Sequence, residues 1–295
     1  MRSAVSVAKA TALEILSEPL TLLVLLAALV MAVLAPAFHY HQFGEATRMP
    51  RDAGFSALFT CGSVVAVFGT IRAFRREMES GTMQMALSHP VSRGGFFIAK
   101  SLGAFVAYLA FAATVFGTSL AIVEGARVGG AVAATTGDIA RLSGPFFAAG
   151  VAIMLVPLLL GAALNRFARF RFVLTATTTA LILAVVAGGA SAVLDRALLP
   201  RYAPVAALLV SPALVLLFAS AAFAVRFRAN AAAAAVGVVA ALCVPAVGNY
   251  YMADALSGGG TVSWAYVAMA SLAAFPAVLA FALLGLGFIA GRDVS

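Results

Sequence analysis

The chain has 295 residues, of which 63% are apolar and only 10% charged, with a net charge of +8. Soluble domains carry about 25% charged residues, and here the apolar excess runs along the whole chain. That excludes a soluble fold with a single anchor and points to an all-α, polytopic membrane helix bundle with both termini on one side.

The basic residues stand at the ends of apolar runs, which is the pattern of membrane topology, so the positive charge does not call for nucleic acid. Polar linkers longer than about 20 residues are lacking, and a single membrane domain over 1–295 is expected. Residues 3–18 place Val5, Ala8, Ala12, Ile15 and Leu16 against Lys9 and Glu14 around a helix, which predicts an interfacial helix along the membrane. A first crossing follows at 20–38. Its end, "LAPAF", is similar to a signal-peptide cleavage region. The run is longer than a typical signal segment, though, and Glu14 and Glu18 precede it, so an uncleaved span is expected. His39 and His41 form an H-x-H at its end. Two imidazoles without a third ligand read as an interfacial pair, and no metal site is assigned.

Further crossings are expected at 54–73, 96–123, 145–164, 172–194, 204–225, 231–249 and 264–290, about eight in all, with a six-span core as the alternative. The weakest is 231–249, Ala-rich and containing Pro245. A re-entrant hairpin there would carry Arg226 and Arg228 to membrane depth at roughly 2.5–3.5 kcal/mol each. With the N-terminus in the cytoplasm and eight alternating spans, 13 of the 19 basic residues fall on the cytoplasmic side, as the positive-inside rule requires. Cys61 and Cys243 both lie in apolar runs and read as buried small residues rather than a disulfide.

The interiors of the expected spans hold no ionisable group, and Lys100, near the start of its span, reads as a cation snorkelling to the interface. Carriers driven by ions usually place such groups at depth, so the energy source is expected elsewhere. "GGFFIAKS", Gly94–Ser101, is similar to the phosphate loop G-x-x-x-x-G-K-[ST], with Ala99 where the last Gly belongs. That loop follows a buried strand in a soluble α/β domain. Here a membrane span follows, and nucleotide binding by this chain is not expected. The cluster Thr175–Thr179 ("TATTT") is expected to bond to its own helix backbone, and Gly287 and Gly291 make a small-residue face suited to close helix packing.

The segment 74–95 is the longest polar insertion. Phe74, Met78, Gly81 and Met85 recur at spacings of 4, 3 and 4, one face of a short amphipathic helix. Met83, Leu87 and Val91 make a neighbouring row, and "SHPVSRGG" then stops the helix at Pro90. Pattern alone leaves two readings, docking to a partner or packing under the bundle.

At these residues "REMESGTMQMALSHPVSRGGFFIAKSLGAF" resembles the E-x-E-x-G-T…L-S-x-P-V-S-R…K-x-x-G signature of ABC-2 type ABC-transporter permeases. Glu77, Glu79, Gly81, Thr82, Leu87, Ser88, Pro90, Val91, Ser92, Arg93, Lys100 and Gly103 carry the match. The resemblance implies that 74–95 is a coupling helix seated in a groove of a separate cytoplasmic ATPase. The docking residues would then be Phe74, Glu77, Met78, Glu79, Gly81, Thr82, Met85, Leu87, Pro90 and Arg93. It also implies ATP-Mg held by that partner and not by this chain, a second permease copy or homologue, and residence in the cell inner membrane. Such permeases commonly have six spans, fewer than the eight counted. Two other classes stay open: a self-sufficient secondary transporter, and a membrane anchor that recruits an ATPase but moves no solute.

Overall fold

The structure is a computed structural model. It describes residues 2–36, 47–79, 92–136, 144–227 and 263–290, together with a few positions between 231 and 239. All described secondary structure is helical: α1 (Arg2–Leu16), α2 (Pro19–Leu34), α3 (Arg48–Glu79), α4 (Arg93–Thr136), α5 (Gly144–Ala168), α6 (Phe172–Leu194), α7 (Leu198–Arg226) and α8 (Trp264–Ala290). With no water in the bilayer core, a helix is the structure that satisfies every backbone group within one segment.

Six of these helices are long and apolar enough to cross a membrane: Arg48–Glu79, Arg93–Gly129, Ala148–Ala168, Phe172–Leu194, Leu198–Arg226 and Trp264–Ala290. The polytopic bundle is therefore as the sequence predicts, and two boundaries, 172–194 and 264–290, are the predicted ones. Six of the expected crossings appear among the described residues, the number of the six-span alternative. The expected first crossing at 20–38 is α2, a helix of 16 residues. At 1.5 Å per residue it extends about 24 Å, short of a hydrocarbon core of about 30 Å. It joins the count, as a seventh span, only if α1 and α2 together make one broken crossing. Ser17 and Glu18 separate these two helices, and Pro19 at the first turn of α2 starts the new helix where its missing N–H costs nothing. The predicted span 231–249 lies almost wholly outside the described residues, as do His39, His41 and Cys243.

Two compact units divide the chain. The first consists of Met1–Ile15, Ser63–Tyr108 and Ala203–Ser295. Its apolar centre joins Ile71 and Phe74 of α3, Phe96 and Phe97 of α4, Ala221, Ala224 and Val225 of α7, and Ile289 of α8. Gly285 of α8 sits where a Cβ would overlap the Phe97 ring, so the small residue sets how closely these helices meet. Within α3, Val65–Gly69 form a π turn, and Gly69, its last residue, leaves room for Ile15 of α1.

The second unit consists of Leu16–Gly62 and Leu109–Tyr202. Its packing rests on small residues. Ala180, Ala184, Gly188 and Ser191 line one buried face of α6. A Cβ on Gly117 of α4 would overlap the Ala184 carbonyl, and one on Gly188 would strike the Gly117 backbone. Backbones meet this closely in lipid because dispersion, not the hydrophobic effect, drives helix association there. The threonine cluster behaves as expected, with the Thr175, Thr177 and Thr178 hydroxyls donating to the carbonyls of Arg171, Val173 and Leu174. Thr177 also lies 3.0 Å from the Leu16 carbonyl. That oxygen is one of those a helix end leaves without an intrahelical partner.

Candidate functional site

The last turns of α3 read "TIRAFRREME". Ile71, Phe74 and Met78 fall on one face at helical spacing, while Arg72, Arg76 and Glu79 are exposed on others. The helix therefore continues past Ala73, where hydropathy ends the span, because its apolar side still has a core to cover. Phe74 is buried, with its ring centroid 5.5 Å from that of Phe97 at 53°. Met78 packs against the same cluster.

Seven residues into α4, facing these turns, stands Lys100. Its side chain is 0% exposed, and its ammonium lies 2.7 Å from Glu77 Oε1. The rings of Phe74 and Phe96 flank it, with centroids 5.6 and 5.8 Å from Nζ. The snorkelling expectation is therefore corrected: the cation turns inward to a carboxylate instead of outward to the interface. The physical reason is proximity. Glu77 ends one helix and Lys100 begins the next, so an ion pair and two aromatic faces replace the water that snorkelling would have kept.

Three further ties converge on these turns. Arg75 pairs with Glu79 at 2.9 Å and donates to the Phe227 carbonyl at the end of α7, 3.3 Å away. Arg76 reaches Glu14 of α1 at 3.3 Å. Gly103, one turn after Lys100, lies against α1 so closely that a Cβ would overlap the Ala8 carbonyl and crowd Thr11. Ser92 caps α4, accepting from the Gly95 N–H at 3.1 Å. The result is a polar clasp joining α1, α3, α4 and α7 at the two chain ends that flank residues 80–91.

Five of the ten sequence-predicted docking residues are therefore placed. Phe74, Glu77 and Met78 serve the clasp and its core, Glu79 is exposed beside Arg75, and Arg93 opens α4 on the surface. Gly81, Thr82, Met85, Leu87 and Pro90 lie outside the described residues. Of the segment 74–95, read as a short helix, a turn and the entry to the next span, the start is the end of α3 and the close is the start of α4. Sequence reasoning missed the partners of Glu77 and Arg76, namely Lys100 and Glu14. The family signature contained both Glu77 and Lys100, but their spacing of 23 residues gives no contact until the hairpin is known.

Ionisable groups within the spans also need correction. Glu124 of α4 is buried, and it holds Arg127 through two bonds of 2.6 and 2.8 Å, with Asp195 3.5 Å from the same guanidinium. The sequence reading ended this span at 123, one residue short of Glu124. Among the described residues, no group of three or more His, Cys, Asp or Glu could hold a metal.

Residues 26–171 match the model of a family described as ABC-2 family transporter protein. Comparison with curated proteins and with solved structures gives no match. The matched stretch covers about half of the chain and holds the clasp's Glu77 and Lys100 together with the signature around them. The chain belongs to the ABC-2 transporter family, and it is a multi-pass membrane protein of permease type.

Proposed function

We propose that the chain is the transmembrane permease subunit of an ATP-binding-cassette transporter in the cell inner membrane. It couples ATP hydrolysis by a separate ATPase to substrate export or conformational work. In this reading residues 80–91, with Glu79 and Arg93 at their flanks, face the cytoplasm and seat on the ATPase. ATP-Mg is held by that partner, and two permeases work with two ATPases.

The observation that carries the proposal is the clasp. A docking segment transmits force only if the helices on both sides of it move as one body. Here Glu77 on one side is ion-paired with Lys100 on the other, and Arg75, Arg76 and Gly103 extend the grip to α7 and α1. Phe74 and Met78 contribute by fixing the end of α3, so direct contact with the ATPase falls to the residues beyond Glu79. A carrier driven by an ion gradient needs a group at depth that can exchange its charge partner. Lys100 and Glu124 are instead each held by an opposite charge.

The test uses the full chain and the ATPase encoded beside it, recognised by its own G-x-x-x-x-G-K-[ST] loop. Gly81→Asp and Met85→Asp change the docking segment and keep the clasp residues Glu77 and Lys100 as they are. Loss of ATPase capture, and of permease-dependent ATP turnover, is the expected result. Full capture and turnover by both variants would remove the segment from the docking role.

A further inference from the structure

The turn between α5 and α6 reads "NRFARFRF", Asn165–Phe172. Residues 165–171 are all exposed, including Phe167 at 87% and Phe170 at 58%. Arg166, Arg169 and Arg171 make no ion pair or side-chain hydrogen bond among the described residues. No acidic residue lies in the turn.

Both flanking helices turn apolar side chains outward: Leu155, Leu159 and Leu160 on α5, Ile182, Val185 and Val186 on α6. α6 has 23 residues and therefore extends about 34 Å, enough to cross the hydrocarbon core. Arg171 immediately precedes it. The turn is thereby held at headgroup level, where the cation meets phosphate and the aromatic ring meets the upper acyl chain.

Topology alone explains basic residues at a helix end. It does not explain Arg169. This residue adopts φ 55°, the left-handed region that favours glycine. A side chain kept there against a conformational preference points to a use for that side chain.

We propose that the Arg166–Arg171 turn binds an anionic phospholipid surface, its three guanidinium groups gripping headgroup phosphates while Phe167 and Phe170 enter the boundary beneath. A pocket is not required. The alternating order R-F-x-R-F-R spreads cations and rings along one exposed turn, which suits a planar surface of repeated negative charge.

The test reconstitutes the full chain into vesicles of equal phosphatidylcholine and phosphatidylglycerol, re-extracts it in mild detergent and counts the lipid carried along. Wild type is expected to retain phosphatidylglycerol about a hundredfold over phosphatidylcholine, with the preference falling as salt rises. Each Arg removed should weaken retention about fivefold. The deciding variant is R169G, which suits the backbone better than the natural residue. Its thermal midpoint in pure phosphatidylcholine should hold or rise while its phosphatidylglycerol retention falls. Undiminished retention by R169G and by R166Q/R169Q/R171Q would overturn the proposal. So would a triple variant that keeps its lipid but no longer captures the ATPase, since the turn would then be a protein dock.

Discussion

The clasp and the α5–α6 turn both concentrate arginine or lysine at helix ends, and they use it in opposite ways. In the clasp Lys100 meets Glu77, Arg75 meets Glu79 and the Phe227 carbonyl, and Arg76 meets Glu14. In the turn the Arg166, Arg169 and Arg171 side chains make no ion pair or hydrogen bond among the described residues. Withdrawal from solvent decides which. Lys100 is wholly buried, and an ammonium there without a carboxylate would bear its full desolvation cost. The arginines of the turn keep their solvation and need no protein partner, which leaves them available to a ligand. One region spends charge on internal rigidity, and the other keeps it for the surroundings.

The largest expected effect comes from breaking the buried pair. Glu77→Ala leaves the Lys100 ammonium enclosed by Phe74 and Phe96 with its carboxylate gone, a loss of about 3–5 kcal/mol. Glu77→Gln with Lys100→Met removes both charges and should recover most of it, because the low-dielectric site then holds no unpaired ion. Thermal unfolding in detergent measures both variants. If Glu77→Ala proves no worse than an exposed substitution, the ammonium reaches solvent and the contrast with the turn disappears.

This pair also marks what a sequence can and cannot say. Hydropathy located α6 and α8 to the residue, since each is a long run without an ionisable residue, bounded by polar residues or glycine. It ended the α3 span at 73 because Arg72, Arg75 and Arg76 lower the average, although the helix continues to Glu79 on the strength of Ile71, Phe74 and Met78. The family signature named Glu77, Lys100 and Gly103, but their roles depend on which helix lies opposite. Gly103 could have been a hinge or a contact with a partner. The Ala8 carbonyl beside it shows a close crossing with α1. Partners such as Glu14 for Arg76 are 62 residues apart in sequence, and no local pattern encodes that distance.

The next effect is steric and tests whether the clasp is more than charge. Gly103→Val puts branched carbon where the Ala8 carbonyl stands, so α1 or α4 must shift. The expected loss is about 1–3 kcal/mol, independent of salt. A valine accommodated without loss would mean that α1 is not seated on α4 as the structure has it, and the clasp would shrink to α3, α4 and α7.

Smaller still is Arg76→Gln. The Arg76 and Glu14 side chains are 66% and 23% exposed, so water and salt already screen most of their attraction. The loss should be at most about 1 kcal/mol and should shrink further as ionic strength rises. A larger, salt-insensitive loss would place Arg76 with the buried cations and move the boundary between the two uses of charge outward.

The smallest effect is expected in the turn itself. Arg166→Gln and Arg171→Gln remove charges that no described residue answers, so thermal stability in neutral detergent should change by no more than about 0.5 kcal/mol. The same substitutions alter lipid retention if the turn grips anionic headgroups, so stability and binding should separate cleanly at these two positions. In the clasp they should not, because there the charge that senses a neighbour also holds the helices together. Matched losses of stability and lipid at Arg166 or Arg171 would show that the turn is structural after all, with its arginines answering a partner inside the protein.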